Sequence, residues 1–108
     1  ALEWVRSWIA QHAAKFDPEQ NPQELYGWRG HGTYGDAGWV YILPSAFRRC
    51  MREGGFSERR VLRDFADRGW IETSVEGGKV NLKIRKRFGY ENRRVVALKP
   101  IDEENQGQ

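Results

Sequence analysis

Apolar residues recur at three- and four-residue steps from Leu2 to Phe16, where Leu2, Val5, Ile9, Ala13 and Phe16 form a stripe that Trp4 and Trp8 widen. That period predicts one amphipathic helix over residues 2–16. Asp17-Pro18 ends it, because a residue before proline is pushed away from helical angles. The polar run 17–24, with two prolines, predicts a connector. The period then shortens to two. Leu25 to Arg29 and Gly38 to Leu43 predict strands joined by the glycine-rich loop Gly30–Ala37. In the second strand Trp39, Tyr41 and Leu43 alternate with Val40 and Ile42, so both faces are apolar, as suits a strand covered on both sides.

The helical period returns at Pro44, a residue suited to a first helical position because its missing N–H costs nothing there. Ala46, Phe47, Cys50 and Met51 make the buried stripe of this second helix, Arg48, Arg49 and Arg52 face away, and Gly54-Gly55 stops it. A third helix follows at once. Ser57 is its N-cap, Glu58 sits at the positive end of the dipole, Phe56 can staple onto Val61, and Arg68-Gly69 supplies the stop. Val61, Leu62, Phe65 and Ala66 form its core face.

Strands are predicted over Trp70–Val75, Lys79–Phe88 and Arg93–Lys99, with turns at Glu76-Gly77-Gly78 and Gly89–Asn92. In the middle strand Val80, Leu82, Ile84 and Phe88 face one way and Asn81, Lys83, Arg85 and Arg87 the other, although Lys86 falls on the apolar side. Two helices joined by a short glycine-containing turn, followed by a basic hairpin, predict an α+β winged helix-turn-helix. It has three helices, a small antiparallel sheet, an additional hairpin before the second helix and an extended wing. Residues 1–100 form one domain in this reading, and the polar tail 101–108 is an acidic, disordered extension.

Composition narrows the class. With 108 residues, 39% hydrophobic and 31% charged, the chain suits one folded domain. No apolar run approaches the roughly 20 residues of a spanning helix, and the N-terminus lacks the apolar core of a secretory signal. The lone cysteine, Cys50, allows no internal disulfide, which points to a reducing, cytoplasmic compartment. The only methionine is Met51, so the expectation is a piece of a longer protein.

The net charge of +3 conceals a segregation. Residues 1–43 carry −2, residues 44–100 carry +8 and the tail carries −3. A middle segment this basic favours polyanions, nucleic acid first. Its candidate binding residues are Arg59, Arg60 and Arg63 on the third helix, Lys83, Arg85, Arg87, Arg93 and Arg94 in the wing, and Arg48, Arg49 and Arg52 on the second helix. Evenly spaced cations on a strand can track a phosphate backbone and release its counterions. They can equally serve to protect an edge strand. On the third helix Arg60 with Asp64, and Arg63 with Asp67, stand at i,i+4, so a neutralised, solvated face is the competing reading there.

Other chemistry is poorly supported. The loop from Gly30 to Gly35 lacks the lysine and hydroxyl of a phosphate-binding P-loop. His12 and His31 are isolated, so no metal site or cofactor is indicated, and Cys50 reads as packing. Ser7, Ser45, Ser57 and Ser74 stand in no nucleophile-elbow context. Catalysis within this chain is not expected. Trp28, Trp39, Tyr41 and Trp70 could stack on unpaired bases, but their positions favour the core.

Several segments carry a likeness: Trp8-Ile9 to Phe16, Gly27-Trp28-Arg29, Tyr41 to Arg48, Val61-Leu62 and Arg68 to Ile71. Together they resemble the C-terminal region of a bacterial domain-of-unknown-function family, large primase–helicase proteins of phages, plasmids and integrated elements. The resemblance implies that a P-loop ATPase segment precedes this region, outside the present chain, and carries no catalytic residue over to it. It implies an accessory, winged-helix-like module of a replication ATPase. The function expected from charge and fold is DNA binding, to duplex or single strands. The alternative is a protein-docking winged helix that packs on its parent ATPase or on a partner subunit, favoured by Asp64, Asp67 and the two-faced strand at 39–43.

Overall fold

The computed structural model describes residues 1–31 and 34–101; the acidic tail predicted after Ile101 lies outside them. Helix α1 spans Leu2–Gln11 and stops five residues short of the predicted end. His12 leaves helical geometry, with φ −115 and ψ 30, and the chain tightens into a 3-10 turn over Ala13–Phe16. The tighter turn rotates Phe16 onto Trp8 and Tyr26 and leaves Ala13 exposed, so the stripe read from the sequence loses one member. The 17–24 connector holds a second 3-10 turn, Pro18–Gln20, capped by the Asp17 carboxylate, which accepts from the Glu19 N–H at 3.0 Å.

Strands β1 (Gly27–Arg29) and β2 (Val40–Ile42) pair antiparallel, and a Cβ at Gly27 would lie 1.9 Å from the Tyr41 carbonyl oxygen, so only glycine fits. Helix α2 spans Pro44–Gly54, and Gly55 closes it with φ 74. The Phe56 N–H then reaches back to the Met51 carbonyl at 2.8 Å, the six-to-one bond of a Schellman cap. Helix α3 spans Glu58–Asp67, with Ser57 Oγ accepting from the Arg60 N–H. A second six-to-one bond, Trp70 N–H to Phe65 carbonyl, ends it beyond Gly69. The three-residue turn between α2 and α3 is that of a helix-turn-helix.

The predicted strand 70–75 is reduced to a bridge between Ile71 and Leu98, and β3 begins only at Ser74. β3 (Ser74–Glu76) and β4 (Lys79–Asn81) form a small hairpin through Gly77-Gly78, both at positive φ, the turn that twist-matched two-residue hairpins require. The predicted strand 79–88 is broken at Leu82-Lys83, and β5 runs Ile84–Phe88. β6 runs Glu91–Leu98. The main sheet has the order β1-β2-β6-β5, all antiparallel, so β2 is internal; Tyr41 and Ile42, on its opposite faces, are both buried. The wing therefore consists of two hairpins in succession. The domain is an α+β winged helix-turn-helix.

Every residue buried among those described is hydrophobic, from Val5 and Trp8 on α1 through Phe47 and Met51 on α2 and Phe65 on α3 to Val95–Leu98 on β6. Helix α1 packs on α2, and α2 packs on both α3 and β6. The Trp4 indole N–H donates to the Cys50 carbonyl at 2.8 Å, and that of Trp8 donates to Glu53 at 3.0 Å, tying α1 to α2.

Cys50 belongs to this core, and burial, with a smaller push from Glu53, raises its thiol to about 12. The unfolded thiol titrates at about 8.5, so its contribution to stability is complete below that pH and is lost as the pH rises toward the folded value. Iodoacetamide at mildly alkaline pH is expected to leave Cys50 unmodified in the folded protein and to label it after denaturation. Labelling of the folded protein at the rate of a free thiol would show the core to be open there.

Candidate nucleic-acid interface

One flank of α3, carrying Arg59 and Arg63, faces β4 of the small hairpin. Between α3 and β4 runs one cleft, formed by two hollows that share Arg59, Val80, Asn81 and Leu82. Its apolar floor includes Leu62, Ala66 and Leu82. Arg59, Arg63, Lys79, Lys83 and Arg94 line it, against the carboxylates of Glu58 and Asp67. The sequence reading missed Lys79, which stands next to the turn glycines and so carried no alternation signal.

Beyond the cleft the cations continue along the β5–β6 hairpin. Arg85 stands directly across from Arg94, and Arg87 across from Asn92, so these side chains share the face on which Arg94 meets α3. On the opposite face Lys86 stands across from Arg93. The two like-charge pairs differ in one respect. Lys86 reaches Glu72 at 3.3 Å and Arg93 reaches Glu91 at 3.6 Å, whereas Arg85 and Arg94 have no carboxylate partner among the described residues. Directly opposed like charges destabilise a strand pair. The bare pair is the one beside α3.

Asp64 pairs with Arg68 at 3.0 Å, not with Arg60, and the Arg68 guanidinium lies over the Trp70 ring at 4.9 Å. An acid placed N-terminal to its base is the favoured order on a helix, and Arg60–Asp64 and Arg63–Asp67 have the reverse order. Arg60 and Arg63 are consequently exposed and without an ion pair among the described residues. Asp64, which favoured a neutralised face, is occupied at the end of the helix.

The remaining candidates are scattered or tied down. Lys83 leaves the strand face it was assigned to, because the break before β5 swings it to Glu58 at 2.9 Å. Glu58, in the first turn of α3, also holds Arg48 at 3.5 Å. Arg49 points toward β1, where the Tyr26 hydroxyl accepts from it at 2.6 Å and Glu24 lies at 3.6 Å; the hydroxyl contact, then these neighbouring charges, holds its pKa above the ordinary value. Arg52 is exposed on α2. Arg87 donates from Nε to the Gly89 carbonyl at 3.1 Å and has no carboxylate partner among the described residues.

Of the aromatics expected in the core, Trp28 and Tyr41 are buried, and two are partly buried against it, Trp39 on Tyr41 and Trp70 on Phe65. Tyr90, a turn residue with no periodicity to mark it in the sequence, is 99% exposed at the tip of the β5–β6 hairpin. Among the described residues there is no cluster of three or more potential metal ligands, and no helix is long and apolar enough to cross a membrane.

No curated protein and no solved structure matches the chain. The family described as the Cch helix turn helix domain matches residues 1–103, a span that includes α1, the α2–α3 pair, the cleft and both hairpins of the wing. With its helices, sheet and turn accounted for over nearly its whole length, the chain belongs to the Cch helix-turn-helix domain family.

Proposed function

We propose that residues 1–100 form a DNA-binding module in which α3 approaches the major groove and the wing follows the phosphate backbone. Arg59, Arg60 and Arg63 on α3 and Arg85, Arg87 and Arg94 on the wing supply the contacts; Arg52 is peripheral, and Arg48, Arg49, Lys83 and Arg93 are engaged by the protein's own groups. The observation that carries this reading is the bare Arg85–Arg94 pair. A repelling pair left uncompensated, beside an equivalent pair that is compensated, is explained if an external anion completes it. Phosphates arriving in the cleft release their counterions, which supplies affinity without base-specific contacts. Following the sequence resemblance, the module serves as an accessory domain of a larger cytoplasmic replication ATPase and contributes no catalytic step.

The test is a titration of labelled duplex at two salt concentrations. With about six phosphate contacts, affinity falls about 10³-fold between roughly 50 and 200 mM salt. In the same assay Arg85→Thr weakens binding while stabilising the free domain by about 0.2–1 kcal/mol, because it removes the repulsion. A variant that binds more weakly without becoming more stable, as judged by urea denaturation, removes the argument from uncompensated charge.

A second reading, docking on the parent ATPase or on a partner subunit, is favoured by Val75 and Val80. They face each other across the β3–β4 hairpin and are 67% and 58% exposed. It no longer draws on the 39–43 strand, whose Tyr41, Ile42 and Leu43 are buried in the core. Salt-independent capture of the ATPase segment, with no DNA bound at low salt, would decide for it.

A further inference from the structure

Tyr90 occupies the second position of the two-residue turn Gly89-Tyr90, between the paired residues Phe88 and Glu91. Gly89 has φ 63, as a type II′ hairpin turn requires of its first residue. The mount is rigid. Five consecutive residue pairs hold the hairpin, and Phe88 beside the turn is buried and stacked on Trp28, with ring centres 4.1 Å apart and planes 2° apart. At 99% exposure the Tyr90 ring gains nothing from burial, so folding does not explain an aromatic there. Beside it opens a hollow lined by Trp28, Tyr34, Phe88 and Tyr90, with Arg87 and Glu91 at its rim. From the α3 cleft, Arg94, Arg85 and Arg87 lead along one face of the hairpin toward this tip.

We propose that Tyr90 is a stacking site for an unpaired nucleobase, so that the module recognises the junction between duplex and single-stranded DNA. The inference rests on the DNA-binding reading and refines it. Bases inside a duplex present no free ring face, whereas the first unpaired base at a fork or overhang does. A duplex seated on α3 and running along the cationic face of the wing ends at the hairpin tip. There the Tyr90 ring meets the exposed base, with the neighbouring aromatic hollow beside it. Because the ring is carried on a fixed hairpin, little ordering opposes the contact.

The test compares a blunt duplex with the same duplex carrying a single-stranded arm, with 2-aminopurine at the first unpaired position. The arm is expected to raise affinity about ten-fold, within the range measured for one base stacked on an aromatic ring, and to quench the fluorescent base. Tyr90→Ala loses both effects and keeps its blunt-duplex affinity and its melting temperature, whereas Tyr90→Phe keeps both effects. Retention of the arm preference in Tyr90→Ala, or an unquenched base with the unsubstituted protein, overturns the junction site and leaves duplex binding standing. Failure of every DNA to bind at low salt overturns the DNA reading itself, and the junction site with it.

Discussion

Replacing Arg59, Arg63 and Arg94 together by alanine is expected to weaken duplex binding by about 10²- to 10³-fold near 0.1 M salt, and to flatten the salt dependence by about 2.7 in log–log slope. The figure follows from three lost phosphate contacts, each contributing about 0.9 to the slope. These three line one cleft and none has a carboxylate partner among the described residues, so they are the cations most available to an external anion. Arg59 and Arg63, exposed and without partners among the described residues, contribute little to folding, and Arg94→Ala relieves the repulsion with Arg85, so the triple variant should be as stable as the parent or slightly more so. Arg49→Ala is the control for net charge. It removes one charge, from a guanidinium already engaged by Tyr26 and Glu24, and should leave the slope nearly unchanged, against about 0.9 for each cleft arginine. An equal effect per charge removed would mean that net charge, and not the cleft, governs binding.

Trp8→Ala is expected to lower stability by about 3–5 kcal/mol, a large share of the roughly 5–15 kcal/mol that holds an ordinary domain folded. Trp8 is 1% exposed, stacks on Tyr26 with ring centres 5.1 Å apart, and meets Phe16 edge-on at 6.3 Å. Its indole N–H bonds Glu53 on α2, so truncation opens a cavity and unties two helices at once. Thermal denaturation should report a fall in Tm on the order of 15–30 °C. A fall of only a few degrees would show that the α1–α2 contact is not a centre of the packing.

The helix-turn-helix was legible because every signal agreed. In α2 and α3 the apolar period, the Pro44 start, the Ser57 cap and the Gly55 and Gly69 stops all point to the same boundaries, and the structure has them within a residue or two. The covering of β2 on both faces was equally readable, since apolar residues on alternate sides of a strand require packing above and below it, and Tyr41 and Ile42 are both buried. The alternation at 79–88 misled where local and tertiary demands diverged. Val80 and Leu82 continue the period of Ile84 and Phe88, but the chain breaks between them where Lys83 meets Glu58 on α3. Lys86, the exception in that pattern, faces inward with its charge met by Glu72, a residue no local rule associates with it.

The candidate site divides along the same line. Sequence alone determined that residues 44–100 carry an excess of eight positive charges and that helices and hairpin would present them on polar faces, because charge count and period are properties of neighbours along the chain. Which cations stay available was decided only in three dimensions. Carboxylates from distant or unexpected positions reach Arg48, Arg49, Lys83, Lys86 and Arg93, while Arg59, Arg60, Arg63, Arg85 and Arg94 have none among the described residues. A pairing energy depends on the distance between charges in space, and the fold, not the order of residues, sets that distance.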